Sequence, residues 1–328
     1  MNTAVRWGII APGRIAHRFA QGFEKQEDGV LSAVASRDIE RARSFASQYQ
    51  IPHVCNNYLE LITSADVDAI YIASPHRFHY ETIKQCLEHG KAVLCEKPLT
   101  VTAKQSTELF KLAEETQTFL MEALWTRFLP IWQQIKQWIN EGEIGEVQLL
   151  NSSFGFQPPR DDQDRLFNKA LAGGVLLDAG VYCLSLSQFI LEREPSKVHS
   201  AVLVGETGVD ERCSVLMDYG NVTSQFTASF NTTLDNQFVI SGSKGQIVVD
   251  GYFWGATKAT LTRTGQPSKA IELPHRASGF EYQVDEVHRC LKQGKYLSDN
   301  MSATVTINTM KIIDSILAKA GITYPFLE

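Results

Sequence analysis

Two short stretches of the sequence carry ionisable side chains in arrangements that suit proton transfer. The run VLCEKP places Glu96 and Lys97 directly after an apolar, strand-like segment. Asp178 and Tyr182 are four positions apart in a helix-like segment, so their side chains occupy one helix face. A plain salt bridge at the first position, and a core tyrosine hydrogen-bonded at its tip at the second, are the non-chemical alternatives.

The N-terminal segment has the layout of a dinucleotide-binding turn. An apolar strand leads into the run GIIAPGRIA, and a helix follows. In such turns glycines let the backbone approach a pyrophosphate, whose charge is met by the helix N-terminus. The three motif positions read Ala11, Gly13 and Ala16, so a simple strand-to-helix turn fits the motif equally well. Because the position in the chain favours the cofactor, Ala11, Gly13, Arg14 and Ile15 are predicted to line it.

The end of the second strand bears on which nicotinamide cofactor is bound. NAD enzymes usually place a carboxylate there for the ribose 2′-hydroxyl, whereas this chain has Ser36 and Arg37. Arg37 and Arg41 are four positions apart at a helix start and can grip a 2′-phosphate. Asp38 keeps NAD possible, and pairing of the arginines with Asp38 or Glu40 is the alternative. The pattern favours NADP over NAD.

The elements around these residues alternate between strands and helices over the first part of the chain. Apolar runs at 5–10, 30–36, 68–74, 92–95 and 119–122 are predicted strands, and amphipathic runs at 14–25, 39–49, 80–89 and 103–116 are predicted helices. Such alternation is typical of a parallel, doubly wound sheet, whose ligands bind at the carboxyl ends of its strands. Residues 1–125 are therefore predicted to form a dinucleotide-binding domain.

The pattern changes after this point. A predicted helix at 131–140 is followed by strand-like runs at 147–154, 198–204, 213–218, 222–230, 237–241, 246–250 and 257–262. Hairpin-like turns separate several of these runs, which favours a largely antiparallel sheet. One helix at 174–191 interrupts them, and the last 30 residues form an amphipathic helix. Residues 126–328 are predicted to be a substrate-binding and oligomerisation domain.

Composition excludes several classes of protein. The chain has 328 residues, 44% hydrophobic and 21% charged, which describes a globular protein and argues against disorder. Lys and Arg number 31 against 37 Asp and Glu, a net charge of −6, which disfavours nucleic acid or an anionic membrane as partner. The start lacks the pattern of a secretion signal, so a cytoplasmic location is expected. The six cysteines have no metal-ligand or disulfide spacing and are expected to be reduced thiols.

Three motifs together resemble one enzyme family. The tripeptide Glu96-Lys97-Pro98, the N-terminal loop and the run SPHRFH from Ser74 to His79 are similar to the Gfo/Idh/MocA (glucose-fructose oxidoreductase) family over essentially the whole chain. The resemblance implies an α/β protein with an N-terminal Rossmann domain, a C-terminal α/β domain with an open, predominantly antiparallel sheet, and NADP. Within the family, Arg37 with Arg41, 121–128 and 173–182 are similar to NADP-dependent members that oxidise dihydrodiols or D-xylose. Ala11 departs from the family, which more often has glycine there.

The resemblance implies catalytic roles that agree with the chemistry of the side chains. Tyr182, where many relatives have histidine, is expected to be the general acid/base for a hydroxyl or carbonyl undergoing hydride transfer. Lys97 would favour the phenolate and lower the pKa of Tyr182, and Asp178 would orient the pair. The residues expected near the cofactor are Ser74, Pro75, His79, Glu96, Lys97, Trp125 and Arg127, and Lys97 is also expected to help seat the nicotinamide and the substrate oxygen. No HExxH or comparable ligand pair occurs, so the chemistry is expected to need no metal.

Aromatic side chains are expected to form the substrate site. The resemblance places Trp125, Phe154, Trp254 and Phe280 around the pocket with Asp178 and Tyr182, although a core role is the ordinary alternative for each aromatic residue. The pattern favours oxidation of an aldose at C1 or of a vicinal diol. An inositol or other cyclic polyol, and a sensor that binds NADP without turnover, are the alternatives.

The expected protein partner is a second copy of this chain. An open antiparallel sheet would expose one face, so a homodimer, or a dimer of dimers, is expected through that sheet, with Val215, Phe226, Phe230 and Val239 as candidate contacts.

The shape of the substrate pocket depends on the loops 157–166 and 252–256, whose conformations the sequence does not predict, so the identity of the substrate stays open. The cis or trans state of the Lys97-Pro98 bond is likewise open.

Overall fold

A computed structural model of the chain describes residues 4–327, which fall into two compact units. The first contains residues up to Trp125 together with Arg276–Ile307, and the second contains Thr126–His275 and Asn308 onward. The expectation that all of 126–328 forms the second domain is therefore corrected for 276–307. That segment returns to the first unit because its helix packs against the first strand of that unit.

The first unit is built on a parallel sheet of six strands in the order β3-β2-β1-β4-β5-β6. Its strands are β1 (Val5–Ile10), β2 (Gly29–Ala35), β3 (His53–Cys55), β4 (Ala69–Ile72), β5 (Ala92–Glu96) and β6 (Leu120–Ala123). The helices are α1 (Arg14–Gly22), α2 (Ile39–Tyr49), α3 (Tyr58–Thr63), α4 (His79–Glu88) and α5 (Ala103–Thr116). This strand order is that of the Rossmann fold, so the predicted fold class is confirmed. The short β3 and α3 were not predicted.

Side-chain caps explain where several of these helices begin. The side chains of Asp38, Asn57 and Thr102 accept backbone N–H groups in the first turns of α2, α3 and α5. Such caps satisfy donors that have no partner within the helix. Helix α1 has no side-chain cap at Gly13 and no acidic residue in its first turn. Its N-terminal N–H groups therefore remain available to an anion.

The second unit contains an eight-stranded sheet in the order β14-β13-β12-β11-β7-β10-β9-β8. Its strands are β7 (Val147–Gly155), β8 (Lys197–Val204), β9 (Asp210–Asp218), β10 (Thr223–Ser229), β11 (Phe238–Gly242), β12 (Gly245–Val249), β13 (Lys258–Arg263) and β14 (Lys269–Glu272). Every neighbouring pair is antiparallel except β7 and β10, which run parallel. The predominantly antiparallel sheet is thus confirmed, as a mixed sheet. The short β14 was not predicted.

The second unit contains the helices α6 (Pro130–Asn140) and α7 (Val181–Leu191) and, from Asn308 onward, the larger part of the last helix of the chain. The single helix predicted at 174–191 is instead a π-helical turn, Leu176–Gly180, followed by α7. The stretch Lys169–Leu191, which contains these two helical elements, is long and apolar enough to cross a membrane by length and composition alone, with a mean hydropathy of 1.6. Since 89% of that window is buried inside the protein, the stretch is a core helix.

The two faces of the second sheet differ in what covers them. Val215, Phe226 and Phe230, predicted as candidate dimer contacts, are buried on the inner face, where Phe226 packs near the π-helical turn. They are therefore unavailable for contact with another chain. Val239 is only partly buried, and Leu216 on β9 is 41% exposed. Periodicity gave the alternation along each strand, but it did not indicate which alternate set points inward.

The returning segment of the first unit adds α8 (Glu281–Lys292), which the sequence did not predict, and the start of α9 (Ala303–Lys319). The indole N–H of Trp7 in β1 donates to Nε2 of His288 in α8, with the two nitrogens 2.9 Å apart. A Cβ at Gly29 would lie 2.6 Å from the His288 ring, so β2 and α8 pack closely. This contact anchors α8 on the sheet.

The pH dependence of stability tests this anchor. His288 accepts the Trp7 hydrogen bond only when its Nε2 is unprotonated, and burial lowers its pKa despite Asp28 and Asp285 nearby. The folded state therefore favours neutral His288, and this part of the stability is present above about pH 6.5 and lost as pH falls below it. Urea unfolding between pH 5 and 8 is expected to show a smaller pH slope for His288→Gln. The exposed-site control His53→Gln should keep the wild-type slope, and an unchanged slope in His288→Gln would contradict the account.

Candidate active site

The turn between β1 and α1 has room for a phosphate. Ala11 has a φ of 60°, in the left-handed region where glycine is usually found, and its N–H donates to the carbonyl of Ala35 at the end of β2. A Cβ at Gly13 would find its nearest neighbour, the Ala11 carbonyl oxygen, 3.9 Å away. Space over Gly13 and the uncapped N-terminus of α1 together fit a pyrophosphate. Arg14 is exposed at this terminus and Ile15 is partly buried.

The segment after β2 presents two arginines, Arg37 and Arg41. Asp38 uses its carboxylate to cap α2, accepting the N–H groups of Glu40 and Arg41 at 3.0 and 3.3 Å. Glu40 pairs with Arg43, and within residues 4–327 neither Arg37 nor Arg41 has an ion pair. The alternative in which these arginines pair with Asp38 or Glu40 therefore does not hold.

The guanidinium groups of Arg37 and Arg41 both lie near Tyr58. Arg37 stacks over the Phe78 ring at 5.4 Å. Arg37 and Arg41 both act to lower the pKa of Tyr58, which burial raises. Ser36, buried beside them, accepts the N–H of Asp38 on its hydroxyl oxygen. A doubly charged anion at this place would be met by two positive charges and a hydroxyl.

The loop after β4 contains an unsatisfied buried donor. The Ser74 hydroxyl is buried and has no hydrogen-bond partner among residues 4–327. The neighbouring Pro75 is only partly buried. Such orphaned groups call for an explanation, and a bound ligand supplies one. The loop therefore fits a cofactor that brings its own polar atoms.

His79 holds this loop in place rather than lining a cavity. The side chain is completely buried, and its two ring nitrogens lie 2.8 Å from the carbonyl oxygen of Ser74 and 2.9 Å from that of Pro98. Burial lowers the pKa of His79. In its neutral form the imidazole has one N–H and donates to one of these two carbonyl oxygens, while the ring packs between the loops after β4 and β5. His79 is therefore a positioning residue for the predicted cofactor site.

The charged tripeptide lies at the end of β5, as expected. Glu96 is buried and accepts the hydroxyl of Tyr71 at 2.5 Å, and the Lys97-Pro98 peptide bond is cis. Glu122 in β6 accepts the N–H of Leu99 at 3.0 Å and so fixes the backbone just beyond the proline. Lys97 is partly buried at the carboxyl edge of the sheet.

Two predicted substrate aromatics stack on each other within the first unit. The rings of Trp125 and Phe280 are 4.7 Å apart and nearly parallel, and the guanidinium of Arg18 lies over both. Phe280 is fully buried and Trp125 is 4% exposed. Phe280 therefore packs against one face of the Trp125 ring and holds that ring in position.

In the second unit, Asp178 lies in a turn that is held by a hydrogen bond to a buried carboxylate. The carboxylate of Asp210 is completely buried and accepts the N–H of Leu176, with nitrogen and oxygen 2.6 Å apart. Gly174 has a φ of 131°, and a Cβ there would lie 2.2 Å from the Asp210 carboxylate. Burial raises the pKa of Asp210 to about 7. Only glycine fits at 174, because the carboxylate that holds the turn occupies the side-chain position.

Two arginines brace the same region. Arg165 pairs with Asp178, nitrogen to oxygen 2.9 Å, where the aspartate is mostly buried. Arg127, predicted near the cofactor, belongs to the second unit, where its guanidinium donates to the carbonyl oxygen of Ser185 in α7 at 3.0 Å. Arg127 thereby supports the helix that carries Tyr182.

Tyr182 stands against a wall of aromatic rings. Phe154 and Trp254 stack face to face with centroids 3.5 Å apart, and the Tyr182 ring is 5.7 Å from Phe154. Asn236 clamps the end of β7 through both side-chain groups, accepting the N–H of Gly155 and donating to its carbonyl. Phe154, Trp254 and Tyr182, predicted from distant segments, are therefore brought together.

Several residues of the site were missed by sequence reasoning. They are Tyr71, Glu122, Arg165, Asp210 and Asn236, each of which bonds to a predicted site residue or to the backbone within two positions of one. Their partners are between 13 and 81 positions away in the chain, and in each case the signal is a tertiary contact. The pair Gly173-Gly174 was the only local hint that something occupies the space beside the turn.

Comparison with known proteins places this architecture in a class. Residues 5–124 match the model of an oxidoreductase family with an NAD-binding Rossmann fold, and residues 132–248 match the Gfo/Idh/MocA C-terminal domain. A trans-1,2-dihydrobenzene-1,2-diol dehydrogenase of Xenopus tropicalis is 33% identical over 334 residues, covering 98% of this chain and 100% of the relative. The human protein of that name is 32% identical, with 98% of each chain covered. The chain belongs to the Gfo/Idh/MocA family of oxidoreductases and is an enzyme of the dehydrogenase type.

Solved structures agree with this fold. An aldose-aldose oxidoreductase from Caulobacter crescentus, complexed with glycerol, superposes with a TM-score of 0.88 at 22% identity, covering 97% of this chain and 98% of that one. KijD10, a 3-ketoreductase from Actinomadura kijaniata in complex with NADP and TDP-benzene, gives 0.86 at 25% identity, covering 96% and 98%. The proteins similar to this chain therefore include a structural neighbour named for aldoses and sequence relatives named for a cyclic diol.

Substitution of Gly174 tests how the turn is held. Gly174→Ala is expected to lower the free energy of unfolding by more than about 3 kcal/mol, because the new Cβ both overlaps Asp210 and meets an unfavourable φ. The control Gly142→Ala has a positive φ of 73° in open space and should cost about 1–2 kcal/mol. Equal losses in denaturant unfolding of the two variants would show that Asp210 does not occupy the position.

Proposed function

We propose that this protein transfers a hydride between NADP and a sugar, at the C1 of an aldose, or a vicinal diol, with Tyr182 as general acid/base. The observation that carries the proposal is the juxtaposition of Tyr182 with the stacked Phe154 and Trp254, one turn from the buried Asp178. A phenol that exchanges a proton, beside a flat apolar wall, suits a ring that presents both hydroxyl groups and C–H faces.

The residues of the first unit fit the proposed cofactor. The uncapped N-terminus of α1 and the space over Gly13 suit the pyrophosphate, and the orphaned Ser74 hydroxyl suits another polar group of the same ligand. Arg37 and Arg41 would bind a 2′-phosphate, which supports NADP over NAD. When bound, the nicotinamide accepts or donates the hydride, and the protein supplies binding and proton transfer.

In the oxidation direction, the phenolate of Tyr182 takes the proton of the reacting hydroxyl as the C–H bond yields its hydride and the C–O bond becomes C=O. In the reduction direction the Tyr182 hydroxyl returns that proton to the carbonyl oxygen. Lys97 supplies the positive charge that favours the phenolate at neutral pH. Asp178, held by Arg165, keeps the turn before Tyr182 in place and orients the reacting group.

A homodimer through the outer face of the second sheet belongs to the same proposal. Leu203 on β8 is 42% exposed and Leu216 on β9 is 41% exposed. A concavity of about 510 Å³ on strands β7 to β10 is lined by Asn151 and His199 among others. Burial of this face against a second copy would remove the exposed leucines from water.

Replacement of the tyrosine hydroxyl tests the mechanism. Tyr182→Phe is expected to lower kcat by about 10²–10⁴-fold, because it removes the proton donor and acceptor while keeping the ring against Phe154. Binding of NADPH, followed by fluorescence, should be nearly unchanged. Tyr219→Phe removes a hydroxyl elsewhere in the second unit and serves as the control. Wild-type turnover by Tyr182→Phe, across aldoses and diols, would reject the assignment.

The arginine pair tests the cofactor. Arg37→Ala and Arg41→Ala are expected to raise the Kd for NADP by about 10–100-fold through loss of charge-assisted hydrogen bonds, with little change for NAD. Arg43→Ala, on the same helix but already paired with Glu40, is the matched control and should leave both constants unchanged. A tenfold preference of the wild-type enzyme for NAD, measured by turnover, would refute the NADP proposal.

A further inference from the structure

The turn after β12 holds a large aromatic side chain in solvent. Tyr252 is 70% exposed, the most exposed of the large apolar side chains in the described part of the chain. Its φ is 51°, a left-handed conformation that is uncommon for bulky residues. Exposure and backbone strain both cost free energy, and strained residues of this kind concentrate at functional sites.

This conformation is imposed by its surroundings. Four hydrogen bonds hold the backbone from Tyr252 to Gly255. They run from the Phe253 N–H to the Asn236 carbonyl (3.3 Å), from the Gly255 N–H to the Tyr252 carbonyl (2.8 Å), from the Trp132 indole N–H to the Phe253 carbonyl (3.0 Å) and from the Thr126 hydroxyl to the Trp254 carbonyl (2.5 Å). Because the backbone is held at Tyr252 and at the three residues after it, the turn presents the Tyr252 ring to solvent in a defined position.

Tyr252 is the outermost ring of an aromatic row, defined by Tyr252, Trp254, Phe154 and Tyr182. Its ring meets Trp254 edge-on with centroids 5.3 Å apart, and Trp254 stacks on Phe154, which in turn lies against Tyr182. Exposure falls along the aromatic row from 70% at Tyr252 to 6% at Tyr182. The aromatic surface beside Tyr182 therefore extends outward past Trp254 to Tyr252, farther than a substrate with one ring would cover.

We infer that Tyr252 forms an outer subsite for a second ring of the substrate, joined to the ring that is oxidised beside Tyr182. The inference rests on the proposed function and narrows its substrate class to two-ring molecules, such as a disaccharide oxidised at its reducing end or a fused-ring diol. The shared chemistry is a flat face of C–H groups, which packs on an exposed aromatic ring. The substrate ring that is oxidised packs on Phe154 and Trp254, and the second ring of the substrate packs on Tyr252.

Matched pairs of substrates test this subsite. D-xylose is compared with xylobiose, and trans-1,2-dihydrobenzene-1,2-diol with the corresponding dihydrodiol of naphthalene, so the two pairs distinguish a sugar from a fused aromatic ring. Tyr252→Ala is expected to raise KM for the two-ring member of the preferred pair by about 3–10-fold, the size of one aromatic contact, with kcat and the KM of the one-ring member unchanged. Tyr252→Phe keeps the ring and should keep wild-type constants.

Stability separates this role from a structural one. Tyr252→Gly suits the positive φ, so its melting temperature should equal or exceed that of the wild type while KM for the two-ring substrate rises as in Tyr252→Ala. Equal KM changes for one-ring and two-ring substrates, or a wild-type enzyme that oxidises one-ring substrates and shows no lower KM for two-ring ones, would overturn the subsite. A change of oligomeric state in Tyr252→Ala, seen by light scattering, would also overturn it, since the ring would then contact a second copy. Absence of all turnover by the wild type would instead refute the proposed function.

Discussion

The segment of the second unit that carries Asp178 and Tyr182 depends on one buried carboxylate. Asp210 accepts the N–H of Leu176 and occupies the space in which any side chain at 174 would have to sit. The chain then passes through the π-helical segment with Asp178 and into α7 with Tyr182. Such π-turns are rare and occur often at functional sites. The cost of burying the carboxylate appears in its pKa, raised to about 7.

A comparable constraint organises the first unit, where the sheet order brings separate loops together. Strands β2, β1, β4 and β5 are neighbours, and their carboxyl ends carry Arg37, Gly13, Ser74 and Lys97. Because parallel strands end at a common edge, residues dispersed over the first hundred positions form one row. The buried His79 ring packs between two of these loops, with the carbonyl oxygens of Ser74 and Pro98 next to its ring nitrogens. A site whose loops are packed together in this way needs less ordering when a ligand binds.

Sequence alone predicted the parts of this structure that depend on local pattern or on a specific motif. The boundaries of α2 and α5 were predicted to the residue because capping side chains and a clear apolar period mark them. The motif around Glu96 and Lys97 identified the family. Failures occurred where a tertiary contact overrides the local pattern. Helix 174–191 opens as a π-turn because Asp210 holds it, and α8 returns to the first unit because His288 meets Trp7. The inward direction of Phe226 likewise depends on which face α7 covers.

Hydride transfer itself is the claim that most needs direct measurement. D-xylose deuterated at C1, or a diol deuterated at its carbinol carbons, would be incubated with the wild-type enzyme and NADP, and the reduced cofactor would be analysed by mass spectrometry. The account predicts one deuterium per molecule of reduced cofactor, carried over from the substrate carbon without exchange with water. Saturable binding of NADP with no deuterated cofactor from any aldose, diol or cyclic polyol would contradict it and identify the protein as a cofactor sensor.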